Sequence, residues 1–254
     1  MTGSPALRHA EPVMGTVVSF AVIPPAPPAQ AAAHAIEAAC EVLHEVDATF
    51  STWDLDSPVS RLRRGEAALS DLPATVAVVL DLCQDARRAS DGWFDPWAMP
   101  GGVDPTGLVK GWAVERALAV LRAAGMQAAM VNGGGDIAVF GAPGPGQAWR
   151  VGIRHPWRPD ALAAIVEVPA AVATSGSYER APHLLNPFTG QPASRAASAT
   201  VTGPSLALAD ALATALAIGG DDALGIVSGL DGYAGYLIRS DGSEASTSGI
   251  TFAS

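Results

Sequence analysis

The stretch "VNGGGDIAVFG", residues 131–141, predicts two apolar strands joined by three glycines and an aspartate. Glycine weakens a strand, so it is kept where a tight turn or a closely approaching ligand needs the space. Both explanations stay open here: a strand-to-strand turn with Asp136 solvated at its corner, or a backbone lying against a ligand. A dinucleotide-binding fingerprint is excluded, because the G-x-G-x-x-G spacing is missing and the glycines open a strand instead of a helix.

On both sides of this stretch, predicted strands and helices follow one another without a regular βαβ repeat. No linker or internal sequence repeat divides the chain. Strands are predicted near 13–23, 128–132, 136–140, 148–153 and 162–168, with two closing strands at 232–239 and 249–253. Helices are predicted at 29–51, 73–90, 107–125 and 205–220, with a short one at 221–230. This order favours an α+β fold, a single domain with a mixed or antiparallel sheet packed by helices.

The composition narrows the classes of partner. A formal net charge of −10 over 254 residues, with 15 Lys and Arg, argues against nucleic-acid and anionic-membrane partners. Two cysteines, Cys40 and Cys83, make no disulfide framework and are expected to pack in the core. Because no signal peptide or membrane span is evident, we expect a cytoplasmic protein without a membrane partner.

Asp210 and Thr214 lie four residues apart in the apolar helix "SLALADALATALA" and therefore share one face. A carboxylate and a hydroxyl are hard oxygen donors that suit Mg²⁺ better than zinc. The alternative is an exposed aspartate favoured by the helix dipole, with the threonine bonded back to a carbonyl.

A second group of candidates lies where the third long helix is predicted to begin. Thr106 or Asp104 can cap this helix. Gly107 and Gly111 leave its first turn open, and Lys110 projects from the same turn. Free N–H groups beside a lysine form an anion site suited to a pyrophosphate. An ordinary capped helix with a solvated lysine is the alternative.

His183 lies in "ATSGSYERAPHLLNPFTGQPA", residues 173–193, where Thr-Ser-Gly-Ser predicts a turn. A histidine in such a polar segment is a candidate general base or hydrogen-bond donor. A structural histidine that caps a turn is the alternative.

Taken in order, seven segments resemble the FAD:protein FMN transferases, the ApbE-type flavin transferase family. The resemblance runs from about residue 11 to 220 and implies one flavin transferase domain, 1–254, of T-fold-like architecture. The segments are "VMGTVVSF", "FSTWDLDSPVSRL", "FDPWAMPGGVDPTGLVKGWAVERA", "MVNGGGDIAVFG", "VATSGSYER", "HLLNPFTGQP" and "LALADALATALAIGG".

The resemblance implies an enzyme that uses Mg²⁺ and FAD. It moves the FMN moiety onto a threonine or serine hydroxyl of a target flavoprotein and releases AMP. Two alternatives stay open: a Mg²⁺-dependent FAD pyrophosphatase that gives FMN and AMP, and a flavin-binding protein without turnover.

The same resemblance assigns the site residues. The metal ligands are the side chains of Asp210 and Thr214 and the carbonyl of Gly107. Asp136 and His183 lie near the reacting phosphate, and His183 is the preferred base; glycines 133–135 let the backbone approach FAD or the metal. The residues assigned to FAD are Met14, Trp53, Trp97, Ala98, Met99, Asp104 and Lys110.

Three departures from the family pattern bear on these assignments. Trp53 stands where the family has tyrosine, which keeps an aromatic surface but loses the hydroxyl. Asn186 stands where the family's H-x-x-D-P-x-T-G motif has aspartate, so no carboxylate is available there. Residues 94–104 also differ from the usual form, which weakens the assignment of 97–99.

Overall fold

The computed structural model describes residues 6–25, 29–176, 184–193 and 195–253. Its centre is one antiparallel sheet of eight strands, and a separate two-stranded hairpin lies against it. The strands are β1 (Leu7–Val13), β2 (Thr16–Ile23), β3 (Ala128–Gly133), β4 (Asp136–Phe140), β5 (Trp149–His155), β6 (Arg158–Val168), β7 (Ala171–Gly176), β8 (Ala196–Gly203), β9 (Ala234–Arg239) and β10 (Glu244–Ser246). The α-helices are α1 (Ala29–Phe50), α2 (Pro58–Arg63), α3 (Ala74–Ala89), α4 (Thr106–Ala123), α5 (Leu206–Gly219) and α6 (Asp221–Ser228).

The large sheet has the order β1-β2-β3-β4-β7-β8-β9-β10, and β5 pairs with β6 outside it. Its two faces carry separate hydrophobic clusters, as alternating residues of β4 show: Ala138 packs in the cluster of the helices, whereas Ile137 and Val139 pack with the β5–β6 hairpin. Side chains that alternate along a strand point to opposite faces. The fold therefore has a helical layer, the sheet and a hairpin, which confirms the α+β prediction.

The glycines of the opening stretch form a two-residue hairpin turn. Gly133 pairs with Asp136 across the hairpin, and Gly134 and Gly135 both have positive φ, 66° and 105°. A turn with two positive φ angles matches the twist of the flanking strands and favours glycine. A Cβ on Gly133 would lie 2.7 Å from Cγ2 of Val114 in α4, so the helix also needs this space.

Helices α4 and α5 pack closely because α4 carries Gly111 at their crossing. A Cβ there would lie 2.6 Å from the carbonyl oxygen of Leu206 and 3.1 Å from Cβ of Asp210. One turn further along α4, the carboxylate of Glu115 accepts hydrogen bonds from the N–H of Leu206 and the hydroxyl of Ser205. Glu115 thus holds α5 against α4 at Leu206, the first residue of α5.

Three of the secondary-structure predictions are wrong, and two elements were missed. Residues 13–23 form the end of β1, a Met14-Gly15 turn and β2 instead of one strand, and Thr174–Gly176 belong to β7 instead of a turn. The predicted strand at 249–253 contributes only an isolated bridge at Phe252, since β10 closes the sheet. The short helix α2 and the small-residue strand β8 were not predicted.

Candidate functional site

Asp136 is the first residue of β4 and only 1% exposed, so the alternative of a solvated aspartate at the turn is wrong. Its carboxylate forms an ion pair with the ammonium of Lys110 from α4, and its Oδ1 accepts the N–H of Thr174 from β7 at 3.2 Å. A carboxylate is buried at acceptable cost only when it is paired and hydrogen-bonded. Helix α4 and two neighbouring strands therefore meet at Asp136.

Asp210 lies on the buried face of α5 and is 4% exposed, which rules out the alternative of a solvated helix aspartate. Its Oδ2 accepts the N–H of Gly111 at 3.1 Å. Burial raises the pKa of Asp210 and the neighbouring Asp136 raises it further, while Lys110 and the Gly111 N–H lower it. Two carboxylates facing one ammonium leave one negative charge in excess when both are ionised.

Thr214 and Gly107 lie next to these residues: Thr214 is one turn after Asp210 in α5, and Gly107 is one turn before Gly111 in α4. The hydroxyl oxygen of Thr214 is 3.4 Å from the hydroxyl oxygen of Ser175 in β7. A Cβ on Gly107 would lie 3.7 Å from the same Thr214 oxygen. The structure therefore brings the three expected metal-binding residues together. Their oxygen donors and the excess negative charge fit a hard divalent cation such as Mg²⁺.

Backbone N–H groups at the start of α4 are hydrogen-bonded, whereas free N–H groups were expected there. The N–H of Thr106 donates to Oδ1 of Asp104 at 3.1 Å, and the N–H groups of Leu108 and Val109 both donate to the carbonyl of Pro105 at 3.0 Å. The expected free N–H groups are therefore already bonded at these three positions.

Lys110 is the fifth residue of this helix and lies in its second turn, not the first. Because its ammonium pairs with Asp136, the alternative of a simply solvated lysine is also wrong. The positive charge of this region therefore comes from the Lys110 side chain, held over a buried carboxylate.

Four of the residues expected to bind FAD lie in one segment of the chain, 97–104. Trp97 is 43% exposed and belongs to a short 3₁₀ helix, Pro96–Ala98, which half-buried Met99 follows. The N–H of Asp104 donates to the carbonyl of Pro96 at 2.9 Å, which joins Asp104 to this segment. Arg63 pairs with the Asp104 carboxylate at 2.7 Å and donates to the carbonyl of Pro100 at 3.0 Å.

The other two residues, Met14 and Trp53, come earlier in the chain. Met14 occupies the turn between β1 and β2 with φ 55°, and its N–H donates to Oδ2 of Asp47 in α1 at 3.1 Å. A non-glycine residue with positive φ is strained and is retained where surrounding structure fixes it. Trp53, which follows α1, is 90% exposed.

His183 lies outside the described residues. The nearby departure, Asn186, has a local structural role: its Oδ1 accepts the N–H groups of Phe188 at 2.9 Å and Thr189 at 3.3 Å. An amide oxygen does this as well as a carboxylate, because only an acceptor is needed. Asn186 thus closes a turn.

Sequence reasoning missed three polar partners in the site. Ser175 and Thr174 were assigned to a turn, although the alternation in "AVATSG" is compatible with a half-buried strand. Arg63 gave no local signal, since its partner Asp104 is 41 residues away.

Within the described ranges, none of the helices combines the length and apolar character that crossing a membrane requires.

Comparison with known proteins shows a family match over most of the chain. The model of the ApbE family matches residues 14–101 and 98–237. A protein of Rhodobacter capsulatus named FAD:protein FMN transferase is 32% identical over 176 residues, 66% of this chain and 31% of the relative. A Vibrio cholerae protein of the same name is 34% identical over 131 residues, 47% of this chain and 39% of the relative. The matches thus span under two fifths of these curated relatives.

Solved structures show the same fold. The flavin transferase ApbE from Vibrio cholerae superposes with a TM-score of 0.83 at 23% identity, covering 96% of this chain and 98% of that one. The apo form of the Pseudomonas stutzeri flavinyl transferase ApbE gives a TM-score of 0.80 at 22% identity, covering 98% and 96%. At these identities the similarity establishes the architecture of the chain.

Proposed function

The chain belongs to the ApbE family, and from this premise we propose that it transfers the FMN moiety of FAD to a threonine or serine hydroxyl of a target flavoprotein. The observation that carries the proposal is the pair of buried carboxylates, Asp136 and Asp210, with the ammonium of Lys110 and two further oxygen donors beside them. The hydroxyl oxygen attacks the FMN-side phosphorus, the pyrophosphate bond breaks, and AMP leaves with the bridging oxygen. The hydroxyl proton passes to a base.

The proposed metal is Mg²⁺, held by the side chains of Asp210 and Thr214 and by the carbonyl of Gly107. When bound, it supplies a Lewis acid for the phosphate oxygens. The excess negative charge between Asp210 and Asp136 supports this assignment, because a cation would let both carboxylates stay ionised without water around them. The donors are all oxygen, as Mg²⁺ prefers.

Lys110 is proposed to stabilise the charge that develops on the phosphates. Its side chain is about one-third exposed, while its partner Asp136 is buried and holds the ammonium in place. A preorganised charge stabilises a transition state without having to reorganise during the reaction.

Asp136 is proposed to position Lys110. One carboxylate oxygen pairs with the ammonium and the other accepts the N–H of Thr174, so both are engaged within the protein. This supports His183 over Asp136 as the base that takes the proton of the acceptor hydroxyl.

FAD is proposed to bind along the residues assigned to it above. The exposed indoles of Trp53 and Trp97 offer flat apolar faces on which an isoalloxazine or adenine ring can stack. Ala98, Met99 and Asp104 follow Trp97 in the segment that the hydrogen bond from Asp104 to Pro96 holds together. The N–H of Met14 is held by Asp47. These residues would position the dinucleotide with its pyrophosphate toward Lys110.

The test is to incubate the protein with FAD and Mg²⁺, with and without a target carrying the acceptor motif, and to measure AMP and target mass. AMP that requires the target, with a covalent gain of FMN, supports the proposal. AMP and free FMN without any target would establish a pyrophosphatase instead, and bound FAD without AMP a flavin-binding protein. Asp210→Asn is the inactive variant, and Asp222→Asn, an exposed aspartate of α6 paired with Arg195, is the matched control.

A further inference from the structure

A second group of metal-ligating side chains lies where β1 crosses α1. His9 and Glu11 are two residues apart in β1, so they point to the same face of the strand. Cys40 and His44 are four residues apart in α1 and share one face of the helix. The two pairs face each other across a strand–helix contact.

The distances between the donor atoms suit a single ion. Nε2 of His9 is 3.2 Å from Oε2 of Glu11, and Nε2 of His44 is 2.8 Å from Oε1 of the same carboxylate. The donor atoms of His9, Glu11 and Cys40 all lie within 4.8 Å of one another. Tetrahedral zinc with ordinary bond lengths separates its ligand atoms by about 3.3–3.6 Å. Small rotations of His9, Glu11 and Cys40 would therefore let these three side chains share an ion, and His44, which contacts Glu11 but lies outside this group of three, would have to turn toward it.

The geometry points to a structural Zn²⁺ site formed by His9, Glu11, Cys40 and His44. Two imidazole nitrogens, a thiolate and a carboxylate are a zinc donor set, and sulfur and nitrogen donors disfavour Mg²⁺. The Cys40 thiol binds as a thiolate and its proton is released to solvent, while each histidine binds through its neutral Nε2. Four protein ligands leave no open position for a substrate.

A pair of surface hydrogen bonds explains the two histidines but not the thiol. Cys40 is buried, and its Sγ lies within 4.8 Å of donor atoms of both His9 and Glu11. A cysteine in the helix core needs no carboxylate partner, whereas a metal ligand is expected to converge with the other donors.

Zinc at this position would join the edge strand β1 to α1. One helical turn after His44, Asp47 holds the N–H of Met14 in the turn that follows β1. The ion would therefore brace the hairpin beside the strained Met14 position. The ion is expected to stabilise the contact between β1 and α1, because four protein ligands fill all its coordination positions.

The experiment titrates the chelator-treated full chain with Co²⁺, whose bond to a thiolate gives a charge-transfer absorption in the near ultraviolet. We expect a band that saturates at one Co²⁺ per chain and is displaced by Zn²⁺. Cys40→Ala should abolish the band. Cys83→Ala, which removes the buried thiol of α3, is the matched control and should retain it.

A second pair of variants keeps the test decisive if Cys40→Ala fails to fold. His9 and His44 are exposed, so His9→Gln and His44→Gln should fold normally. We expect each to weaken Zn²⁺ binding by at least about 100-fold, since even partners outside the ligand set are worth 10–100-fold. A folded wild-type chain without the band, or unchanged Zn²⁺ affinity in both histidine variants, would overturn the site. The readout involves neither FAD nor Mg²⁺, so it is independent of the transferase proposal.

Discussion

Two i,i+4 pairs of potential metal ligands occupy this fold, and their surroundings differ in a way that spacing does not reveal. Asp210 and Thr214 lie on a helix packed against α4 and the sheet, where all neighbouring donors are oxygens and one charge is unbalanced. Cys40 and His44 lie on α1 against an edge strand that adds nitrogen and oxygen donors. Spacing shows that two side chains face the same way. The partners across the contact select the metal, and burial sets the electrostatic cost of leaving the site empty.

The largest expected effect is the loss of Mg²⁺-dependent turnover in Asp210→Asn, by about 10³-fold or more, because the metal contributes several kcal/mol. Steady-state AMP release at saturating FAD measures it. If the two sites bind different metals as proposed, Asp210→Asn keeps the Co²⁺ absorption band of the Cys40 site. Turnover within tenfold of wild type, with normal Mg²⁺ dependence, would contradict the oxygen site.

Lys110→Met should reduce turnover by about 10²–10³-fold, as expected for removing one preorganised charge. It also leaves the buried carboxylate of Asp136 uncompensated, which costs about 3–5 kcal/mol of stability. The double variant Lys110→Met, Asp136→Asn should recover much of the urea midpoint but none of the activity. Recovery of activity in the double variant would show that Lys110 acts only on folding.

Gly111→Ala should destabilise the chain by roughly 1–3 kcal/mol, because the added Cβ would lie 2.6 Å from the Leu206 carbonyl. Urea denaturation followed by circular dichroism measures this effect. Gly225→Ala in α6 is the control: a Cβ there meets nothing within 4 Å, and alanine favours a helix by up to about 1 kcal/mol. Equal stability in the two variants would contradict the close α4–α5 contact.

In the metal-free protein, stability should fall as pH rises toward 8. The pKa of Asp210 is raised from 3.8 to about 8, so the folded state favours the protonated form and loses that advantage as the group ionises. We expect this loss of stability between pH 5 and 8, measured by thermal unfolding with a chelator. Asp210→Asn should remove this dependence, and Mg²⁺ should reduce it in the wild type. A flat wild-type profile would argue against an unbalanced buried charge.

Trp53→Ala should have the smallest effect, a rise in KM for FAD of about 3- to 10-fold at nearly unchanged kcat, as expected for one aromatic stacking contact. Trp157→Ala, which removes another exposed indole from the β5–β6 hairpin, is the control. Equal KM values for the two variants would remove Trp53 from the FAD surface.

The sequence predicted the longer helices, the short α6 and most strands, because their apolar periodicity is local; it missed α2. It failed at β7 and β8, where threonine, serine and alanine give weak hydrophobic alternation and burial comes from layers on both faces. Asp210 and Thr214 were identified because their spacing and the family resemblance agree. Cys40 packs in the core as predicted, but its proximity to His9, 31 positions earlier, is a contact that no local pattern reveals.

The nearly complete burial of α5 has a consequence for the order in which parts of the molecule open. Its backbone amides should exchange with deuterium only through global unfolding, as should those of buried β8. The 3₁₀ segment Pro96–Ala98 lies at the surface and should exchange through brief local openings. If FAD binds along this segment as proposed, it would enter and leave by fluctuation of the segment while Asp210 and Thr214 keep their places.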